Sequence, residues 1–348
     1  MVQKVILAGP RGFCAGVEMA IKALTWMVRV FRPPVYCYHE IVHNRSVVAT
    51  FENAGVIFVD SMGEVPPGFP VMLSAHGSAP GVVEDAAAGA SVMVDAVCPL
   101  VTKVHHEVRR MAERGFDIVY MGHHGHDEAV GTVAQAPGAV TLIDPEEGLG
   151  GFRPTDARKV ALVAQTTLGL HEWEGALAEA SQRYPDLWTA RKSDLCYATT
   201  NRQSAVRLLA ERAGLVLVVG SENSSNTRAL VRVAAKNGRP AHRIDGPESI
   251  EPSWLQGVEV VGITAGASAP EQSVRAVIEA LDPALGVEEL TVTSEAEYFP
   301  PPPQLRAVIG ALQGLVEGAL TARRPGLTGP LDDDRAWDAS RALDILAG

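Results

Sequence analysis

Short apolar runs alternate along the chain with longer segments of helical period. The runs are mostly β-branched residues or leucine, and they predict strands over 5–8, 35–38, 56–59, 71–74, 92–94, 118–121, 160–164, 215–219 and 258–263. The segments of helical period predict helices over 16–30, 100–114, 173–183, 201–213, 227–237 and 271–281. Continuous apolar runs are typical of parallel sheets that are buried on both faces. The alternation therefore predicts an α/β fold with several mostly parallel sheets.

Polar residues follow five of the predicted strands. They are His76 after 71–74, His126 and Glu128 after 118–121, Thr166 after 160–164, Ser224, Ser225 and Asn226 after 215–219, and Ser268 after 258–263. In open α/β sheets, ligands bind beyond the carboxyl ends of the strands. Ser, Asn and Gly also serve as helix caps and turn formers, so each loop taken alone has a purely structural interpretation.

These loops have the chemistry of an anion site. Histidines and hydroxyls beside helix N-termini suit a phosphate or diphosphate, and His43 in the run HEIVHN adds to them. No GxxxxGK[ST] motif is present, so the phosphates would belong to a substrate rather than to a bound nucleotide. Glu128 is the carboxylate among these loops. It is either a proton donor or relay, or a cap for the helix that begins near it.

The four cysteines divide into three and one. Cys14, Cys98 and Cys196 each lie at or near a predicted helix N-terminus, where the helix dipole favours a thiolate. Their separations of 84 and 98 residues each match one small α/β unit, so three units could offer one thiolate each to a common centre. Three thiolates suit zinc or an iron–sulfur cluster with one open position. The alternative is that they are small buried hydrophobic residues, which is what we expect of Cys37 in its apolar strand.

Length and charge narrow the class of protein. The chain has 348 residues and a net charge of −11, which disfavours general nucleic-acid binding. No stretch approaches the roughly 18 apolar residues of a membrane span and no signal-peptide core is present, so we expect a cytoplasmic protein. We predict α/β units over 1–97, 98–195 and 196–306, and a helical C-terminal extension over 307–348. In that extension, helical spacing over 307–322 and a second pattern from 332 predict two helices.

Seven ordered motifs resemble one family. They are RGFCAGV at 11–17, HEIVHN at 39–44, SAHG at 74–77, DAVCP at 95–99, CYATTNRQ at 196–203, NSSN at 223–226 and TAGASAP at 264–270. In order and spacing they resemble the 4-hydroxy-3-methylbut-2-enyl diphosphate reductases, the IspH/LytB family. The resemblance runs from about residue 3 to about residue 306. It implies three similar α/β units around a central cavity.

The resemblance also implies an oxidoreductase and its site. A [4Fe–4S] cluster on Cys14, Cys98 and Cys196, with one open iron, would reductively dehydroxylate the allylic diphosphate. The products would be isopentenyl and dimethylallyl diphosphate, at the last step of the non-mevalonate isoprenoid pathway. A ferredoxin- or flavodoxin-like partner would supply electrons. The matching positions imply that one group of residues binds the diphosphate: His43, His76, Ser224, Ser225, Asn226 and Ser268. His126 and Thr166 would lie around the substrate hydroxyl, and Glu128 would deliver protons.

Two other classes of protein remain open from the residues alone. One is a zinc-stabilised protein that binds a phosphorylated ligand without redox chemistry. The other is a zinc hydrolase that uses His123, His124 and His126. This second alternative is weak, because three histidines within four residues rarely share one metal and no carboxylate ligands accompany them.

Overall fold

The computed structural model describes residues 2–190, 194–319 and 334–347, and the side chains of 316–319 are outside that description. The strands are β1 (Lys4–Gly9), β2 (Val35–Tyr38), β3 (Val56–Val59), β4 (Val71–Leu73), β5 (Met93–Asp95), β6 (Asp117–Met121), β7 (Val140–Ile143), β8 (Val160–Ala164), β9 (Trp188–Thr189), β10 (Leu215–Val219), β11 (Ala241–Ile244), β12 (Val260–Ala265) and β13 (Val287–Thr291). The helices are α1 (Ala15–Val30), α2 (Arg45–Asn53), α3 (Pro80–Gly89), α4 (Pro99–Glu113), α5 (Asp127–Val133), α6 (Leu170–Arg183), α7 (Tyr197–Arg212), α8 (Ser225–Lys236), α9 (Glu271–Leu281), α10 (Pro303–Ala319) and α11 (Ala339–Ala347).

The strands form three sheets, and every pairing between described strands is parallel. The sheets have the orders β11-β10-β12-β1-β13, β3-β2-β4-β5 and β7-β6-β8-β9. The α/β fold with mostly parallel sheets is therefore confirmed. All nine predicted strands and all six predicted helices of the body are present, with ends that differ by a few residues.

Burial on both faces explains why the central strands are continuous apolar runs. Along β10, Leu215, Leu217 and Val219 pack on one side of the five-stranded sheet with residues of α9. Val216 and Val218 pack on the other side with residues of α7 and α8. Successive side chains of a strand point to opposite faces, so a sheet covered by helices on both faces requires an apolar residue at each position.

The chain divides into two compact units. The first unit consists of Met1–Cys14 and Leu100–Ala296, and it holds the five-stranded sheet together with the sheet of β6–β9. The second unit consists of Ala15–Pro99 and Glu297–Gly348, and it holds the sheet of β2–β5. Strand β1 lies within the predicted unit 1–97, yet it pairs with β12 and β13. The boundary at 97 thus separates β1 from the sheet in which it pairs, because strand order is set by pairing partners that sequence order does not reveal.

Segments of the C-terminal extension pack on the second unit. The predicted helix over 307–322 corresponds to α10, which begins four residues earlier. The second pattern corresponds to a short 3₁₀ helix, Asp334–Ala336, followed by α11, while its predicted start at 332 lies outside the described residues. Within this unit the Lys22 ammonium lies 2.7 Å from the Asp334 carboxylate, and both side chains are almost fully buried. In the part of the chain that the structure describes, no helix is long and apolar enough to cross a membrane.

Candidate active site

Three neighbouring strands of the five-stranded sheet end in candidate residues. The strands β10, β12 and β1 are adjacent, and all are parallel. Ser224, Ser225 and Asn226 follow β10, Ser268 follows β12 and Cys14 follows β1. Because the carboxyl ends of parallel strands meet at one edge of a sheet, the fold brings these residues to a common edge.

Two backbone hydrogen bonds hold the Cys14 loop against the loop after β12. The Cys14 amide donates to the Ala267 carbonyl at 3.2 Å, and the Gly12 amide donates to the Ala265 carbonyl at 3.4 Å. Gly12 has a φ of +68°, a left-handed conformation that glycine adopts without strain. The loop therefore needs a glycine two residues before the cysteine, and it binds the Cys14 amide to Ala267, the residue that precedes Ser268.

The N-terminus of α8 has groups that suit an anion. The Ser224 side chain caps the helix, accepting from the Thr227 amide at 3.3 Å. Asn226 accepts from the Ala267 amide at 3.0 Å through its side-chain oxygen, which links the helix to the loop after β12. The Ser225 hydroxyl is buried and has no hydrogen-bond partner among the described residues. A ligand with oxygen acceptors would satisfy that hydroxyl at the positive end of the helix dipole.

Cys196 caps the N-terminus of α7. Its sulfur accepts from the Thr199 amide at 3.3 Å and lies 3.0 Å from the Thr199 hydroxyl. The pKa of this thiol is raised to about 11: desolvation is the largest cause and the nearby Cys14 sulfur adds to it, while Thr199 and Arg202 oppose the change. The hydrogen bonds from Thr199 at the helix N-terminus favour a thiolate, as predicted, and burial opposes it. A positive partner such as a metal would favour the thiolate further.

Glu128 is a buried carboxyl group held by hydrogen-bond donors. It lies on α5 with 2% exposure, and it accepts from the Thr166 amide at 2.7 Å and from the Thr166 hydroxyl at 2.8 Å. The phenol of Tyr120 donates to it at 3.5 Å. Burial raises the pKa of Glu128 to about 7, and the Thr166 and Tyr120 donors limit that rise. A carboxyl group with a pKa near neutrality can both release and regain a proton.

His126 and Thr166 connect Glu128 to its surroundings. The His126 side chain caps α5 by accepting from the Glu128 amide at 3.2 Å, so the histidine and the carboxylate occupy one helix N-terminus. The Thr166 carbonyl accepts from the Cys196 amide at 3.0 Å. One residue thus holds the carboxylate through its amide and hydroxyl, and the cysteine loop through its carbonyl. Strands β6 and β8 are neighbours, which brings these loops together.

The second unit collects the other three candidate residues. His43, His76 and Cys98 follow β2, β4 and β5, which are neighbours in one parallel sheet. The imidazole rings of His43 and His76 stack with their centroids 3.8 Å apart. The Cys98 amide donates to the Ala75 carbonyl at 3.0 Å, directly beside His76. Pro99 then begins α4, so Cys98 immediately precedes a helix, as predicted.

The donor set fits a thiophilic metal centre. Cys14 and Cys196 lie close enough for the charge of one to affect the pKa of the other, and both are partly buried without forming a disulfide. Cys98 is likewise partly buried, and α4 begins at the next residue. Cys37 differs from the other three: it is fully buried in β2 and burial raises its pKa strongly, as expected for a core residue. Three partly buried cysteine sulfurs, each at or beside a helix N-terminus, have the donor chemistry that an iron–sulfur cluster would need.

Sequence reasoning missed several buried polar residues near these groups. They are Tyr120, Asp194 and Arg202, and all three are nearly or fully buried. Arg202 lies in the motif CYATTNRQ, where charge within an otherwise buried helix segment is a visible signal. Tyr120 lies in a strand and reads as an ordinary core residue. The pKa of Asp194 is raised to about 7, mainly by burial and in part by the neighbouring Glu107 carboxyl group.

Histidines 123 and 124 do not form a metal site with His126 in this fold. His123 lies 3.2 Å from the Asp144 carboxylate, and His124 lies 3.1 Å from the Glu147 carboxylate at an exposed position. The two rings therefore pair with separate acidic residues, while His126 caps α5. The adjacent histidines have different partners because consecutive side chains of a turn point in different directions.

Comparisons with known proteins indicate the family to which the chain belongs. The family described as LytB protein matches residues 5–282. A 4-hydroxy-3-methylbut-2-enyl diphosphate reductase from Mycolicibacterium paratuberculosis is 45% identical over 308 residues, covering 88% of this chain and 93% of that protein. A protein of the same name from Glaesserella parasuis is 45% identical over 308 residues, covering 87% of this chain and 98% of that protein.

A solved structure has a similar fold over nearly the whole chain. It is the E-1-hydroxy-2-methyl-but-2-enyl-4-diphosphate reductase from Plasmodium falciparum, with a TM-score of 0.86 and 30% sequence identity. The match covers 90% of this chain and 100% of that one. Extensive identity, a matching fold and the ordered motifs lead to one conclusion. The chain belongs to the LytB protein family.

Proposed function

We propose that this chain is a 4-hydroxy-3-methylbut-2-enyl diphosphate reductase, an oxidoreductase of the non-mevalonate isoprenoid pathway. The reaction takes the allylic alcohol, two electrons and two protons, and it yields water with isopentenyl or dimethylallyl diphosphate. Relatives that carry this name cover most of the chain at about 45% identity. The family relationship and the arrangement around Thr166 support the proposal together.

One observation carries the proposal. Thr166 binds the buried Glu128 carboxyl group through two donors and binds the Cys196 amide through its carbonyl. A group that can deliver a proton is thereby fixed relative to a sulfur that can hold a redox metal. Reductive removal of a hydroxyl group needs both functions at one place, because the oxygen must gain a proton while the carbon gains electrons.

The diphosphate would be bound by neutral or histidine side chains at two sheet edges. His43 and His76 offer ring nitrogens, and the other candidates offer hydroxyl, amide and helix N-terminal groups. These other candidates are Ser224, Ser225, Asn226 and Ser268. Such groups offset phosphate charge through hydrogen bonds and the helix dipole, without an arginine fork.

Glu128 would hold and deliver the proton for the departing oxygen. Its pKa of about 7 leaves a large fraction protonated near neutral pH, where an exposed glutamate would be ionised. The Thr166 hydroxyl fixes one carboxyl oxygen, and His126 on the same helix terminus would orient the substrate hydroxyl. The burial that raises the pKa of Glu128 also limits the access of bulk water to the proton.

A [4Fe–4S] cluster on Cys14, Cys98 and Cys196 would supply electrons and a Lewis-acidic open iron for the substrate oxygen. The chain's contribution is to offer three sulfur donors that each lie beside a helix N-terminus. We propose a ferredoxin- or flavodoxin-like protein as the donor, because electrons must arrive one at a time. The glycine run at 148–151 does not fit the dinucleotide-binding fingerprint that a built-in flavin or nicotinamide site would use.

Anaerobic purification tests the proposal directly. We expect a brown protein with about four iron and four sulfide per chain that converts the allylic diphosphate to both products with dithionite-reduced viologen as electron source. A colourless protein loaded with zinc and inactive under these conditions would contradict the proposal and favour a non-redox phospholigand-binding protein.

Two cysteine variants provide a matched pair for the ligand assignment. Cys98→Ser should lose most bound iron and activity, because serine is a poor ligand for a soft metal. Cys37→Ser alters a thiol that is fully buried in β2, so it should keep the iron content, at some cost in stability. Equal iron content in the two variants would remove Cys98 from the ligand set.

A further inference from the structure

Arg202 is a fully buried guanidinium close to the candidate sulfur ligands. It is 0% exposed and is the largest fully buried side chain in the described part of the chain. Moving a cation out of water costs several kcal/mol even after relaxation, and only good partners offset that cost. Most positions with such burial are apolar, as the surrounding core shows. A charge here therefore calls for an explanation beyond packing.

The contacts of Arg202 join the two cysteine-bearing segments of the first unit. One terminal nitrogen donates to the Gly12 carbonyl at 2.8 Å, two residues before Cys14. The other donates to the Ala198 carbonyl at 3.0 Å, two residues after Cys196. The guanidinium thus lies between the loop of one candidate ligand and the first turn of the helix that the other one caps.

One carboxylate balances the charge of Arg202. Glu295 lies 3.0 and 3.1 Å from the guanidinium through its two oxygens, and its side chain is 14% exposed. Asn201 donates to the same carboxylate at 3.0 Å. The pair is close but not symmetric: Arg202 faces the cysteine loops, while Glu295 retains contact with solvent. Water screens a partly exposed charge more than a buried one, so the positive member acts more strongly on its buried surroundings.

We propose that Arg202 positions the Cys14 and Cys196 loops and raises the reduction potential of the metal group that they hold, with Glu295 opposing it. This inference rests on the proposed function, since it requires a redox centre on these cysteines. Reduction adds negative charge to the centre. A buried positive charge nearby stabilises the reduced form, and net charge is one of the factors that set iron–sulfur potentials.

The charge argument predicts shifts of opposite sign. Arg202→Gln removes the positive charge and should lower the potential, and Glu295→Gln removes the negative charge and should raise it. We expect each variant to change the ratio of reduced to oxidised centre at a fixed applied potential by on the order of tenfold, which is about 59 mV for one electron. The variant that combines Arg202→Gln with Glu295→Gln should have a reduction potential close to that of the wild type.

The measurement is a potentiometric titration of the anaerobically purified holoprotein, followed by electron paramagnetic resonance. Arg202→Lys is the matched control. It keeps the positive charge but loses the planar guanidinium that bonds to both loops, so its reduction potential should stay near wild type while its thermal stability falls. If Arg202→Gln fails to retain iron, Glu295→Gln still tests the argument, because its reduction potential should rise. Shifts in the same direction, or none, would leave Arg202 a packing residue and overturn the inference.

The outcomes also separate this inference from the proposed function. A wild-type protein that turns over, with unshifted potentials in the variants, overturns only the role of Arg202. A wild-type protein without iron and sulfide overturns both. A structural role alone would make Arg202→Lys and Arg202→Gln similar in potential, which the charge argument forbids.

Discussion

At the scale of single residues, the protonation of Glu128 depends on its burial and its donors. Its carboxyl group is 2% exposed and receives hydrogen bonds from Thr166 and Tyr120. The protonated form is favoured in the folded chain up to a pH near 7, whereas the unfolded chain ionises this group near 4.5. The folded chain therefore binds more protons than the unfolded one between these two values.

The first prediction concerns stability and pH. Protonated Glu128 contributes about 3 kcal/mol to the free energy of unfolding. This contribution is fully present below a pH of about 4.5 and is lost as the pH rises through about 7. Glu128→Gln should remove this part of the pH dependence, so its stability relative to wild type should improve from pH 5 to pH 8. Urea unfolding of both metal-free chains at these pH values measures it. A constant difference would contradict the raised pKa.

The second prediction concerns turnover. If Glu128 delivers the proton, the wild-type rate should fall as the pH rises above about 7, and Glu128→Gln should lose most turnover while keeping its iron. Steady-state rates between pH 6 and 9, with iron analysis of each preparation, test this. Unaltered turnover in the variant would remove Glu128 from the proton path.

Thr166 offers a third prediction at this scale. Thr166→Val keeps the backbone contacts but removes the hydroxyl donor to Glu128, which should raise the carboxyl pKa and move the falling limb of the rate profile to higher pH. We expect a loss of about tenfold to a hundredfold in kcat. Thr166→Ser should restore the profile, and Thr167→Val is the neighbouring control. A profile in Thr166→Val identical to wild type would rule out the hydroxyl contact.

At the scale of elements, close packing of α7 on the sheet fixes where Cys196 lies. A Cβ added at Gly262 on β12 would lie 2.7 Å from Leu209 and 3.0 Å from Ala213, at the far end of the helix that Cys196 caps. The helix rests directly on the glycine backbone of the strand. Any displacement of α7 would move the cysteine at its N-terminus.

The fourth prediction follows from this contact. Gly262→Ala should destabilise the chain by about 1–3 kcal/mol, because the added methyl group overpacks the helix–sheet contact. Gly175→Ala is the matched control: it lies in α6 with open space around it, so it should stabilise the chain by about 0.5–1 kcal/mol. Thermal unfolding of both variants measures the two shifts. Equal shifts in unfolding temperature would mean that α7 accommodates the added methyl group without loss of stability.

Sequence patterns located all the central strands and the edge strands β3 and β5, but they missed four other edge strands. The missed strands are β7, β9, β11 and β13, and each lies at the edge of its sheet. The strand β13 reads VEELT, and alternate residues face solvent. An edge strand has a neighbour on one side only and is less covered, so it tolerates charge and loses the continuous apolar signature. Short helices such as α5, with seven residues and a glycine, also lack enough period to be recognised.

The candidate site was predictable in its chemistry more than in its electrostatics. The position of a residue after a strand is visible in sequence, so the loops that carry Ser268 and Thr166 could be found. Strand order is not visible, because pairing depends on long-range contacts, and β1 therefore lies in a sheet formed mainly by the last strands. Burial is also a property of the folded chain, and it raises the pKa of the Cys196 thiol and of the Glu128 carboxyl group. The residue roles in the site remain predictions.

At the scale of the whole molecule, the C-terminal segment contributes to the second unit through a buried ion pair. Lys22 on α1 binds Asp334, whose carboxylate also accepts from the Tyr298 phenol at 2.9 Å. The Lys22 ammonium lies 5.3 Å from the centre of the Trp337 ring, which adds a cation–π contact. The helix that begins directly after Cys14 is thus tied to a segment more than 300 residues later.

The fifth prediction concerns this pair. Asp334→Asn should destabilise the chain by about 3–5 kcal/mol, because it leaves the Lys22 ammonium buried without its counter-charge. Lys4→Met is the matched control: it breaks the Lys4–Glu288 pair, whose side chains are 35% and 33% exposed, and it should cost under about 1 kcal/mol. Chemical unfolding of the two variants gives the comparison. A cost for Asp334→Asn as small as for Lys4→Met would show that the C-terminal segment does not support the unit.

The same ion pair has a consequence for inheritance across the family. The family match ends at residue 282, well before Asp334, whereas Lys22 lies inside the matched region. A lysine that is buried at position 22 needs an acidic partner, and here that partner is supplied from beyond the matched region. Where a chain carries a docked C-terminal segment of this kind, we expect the lysine and its acidic partner to be retained or replaced together.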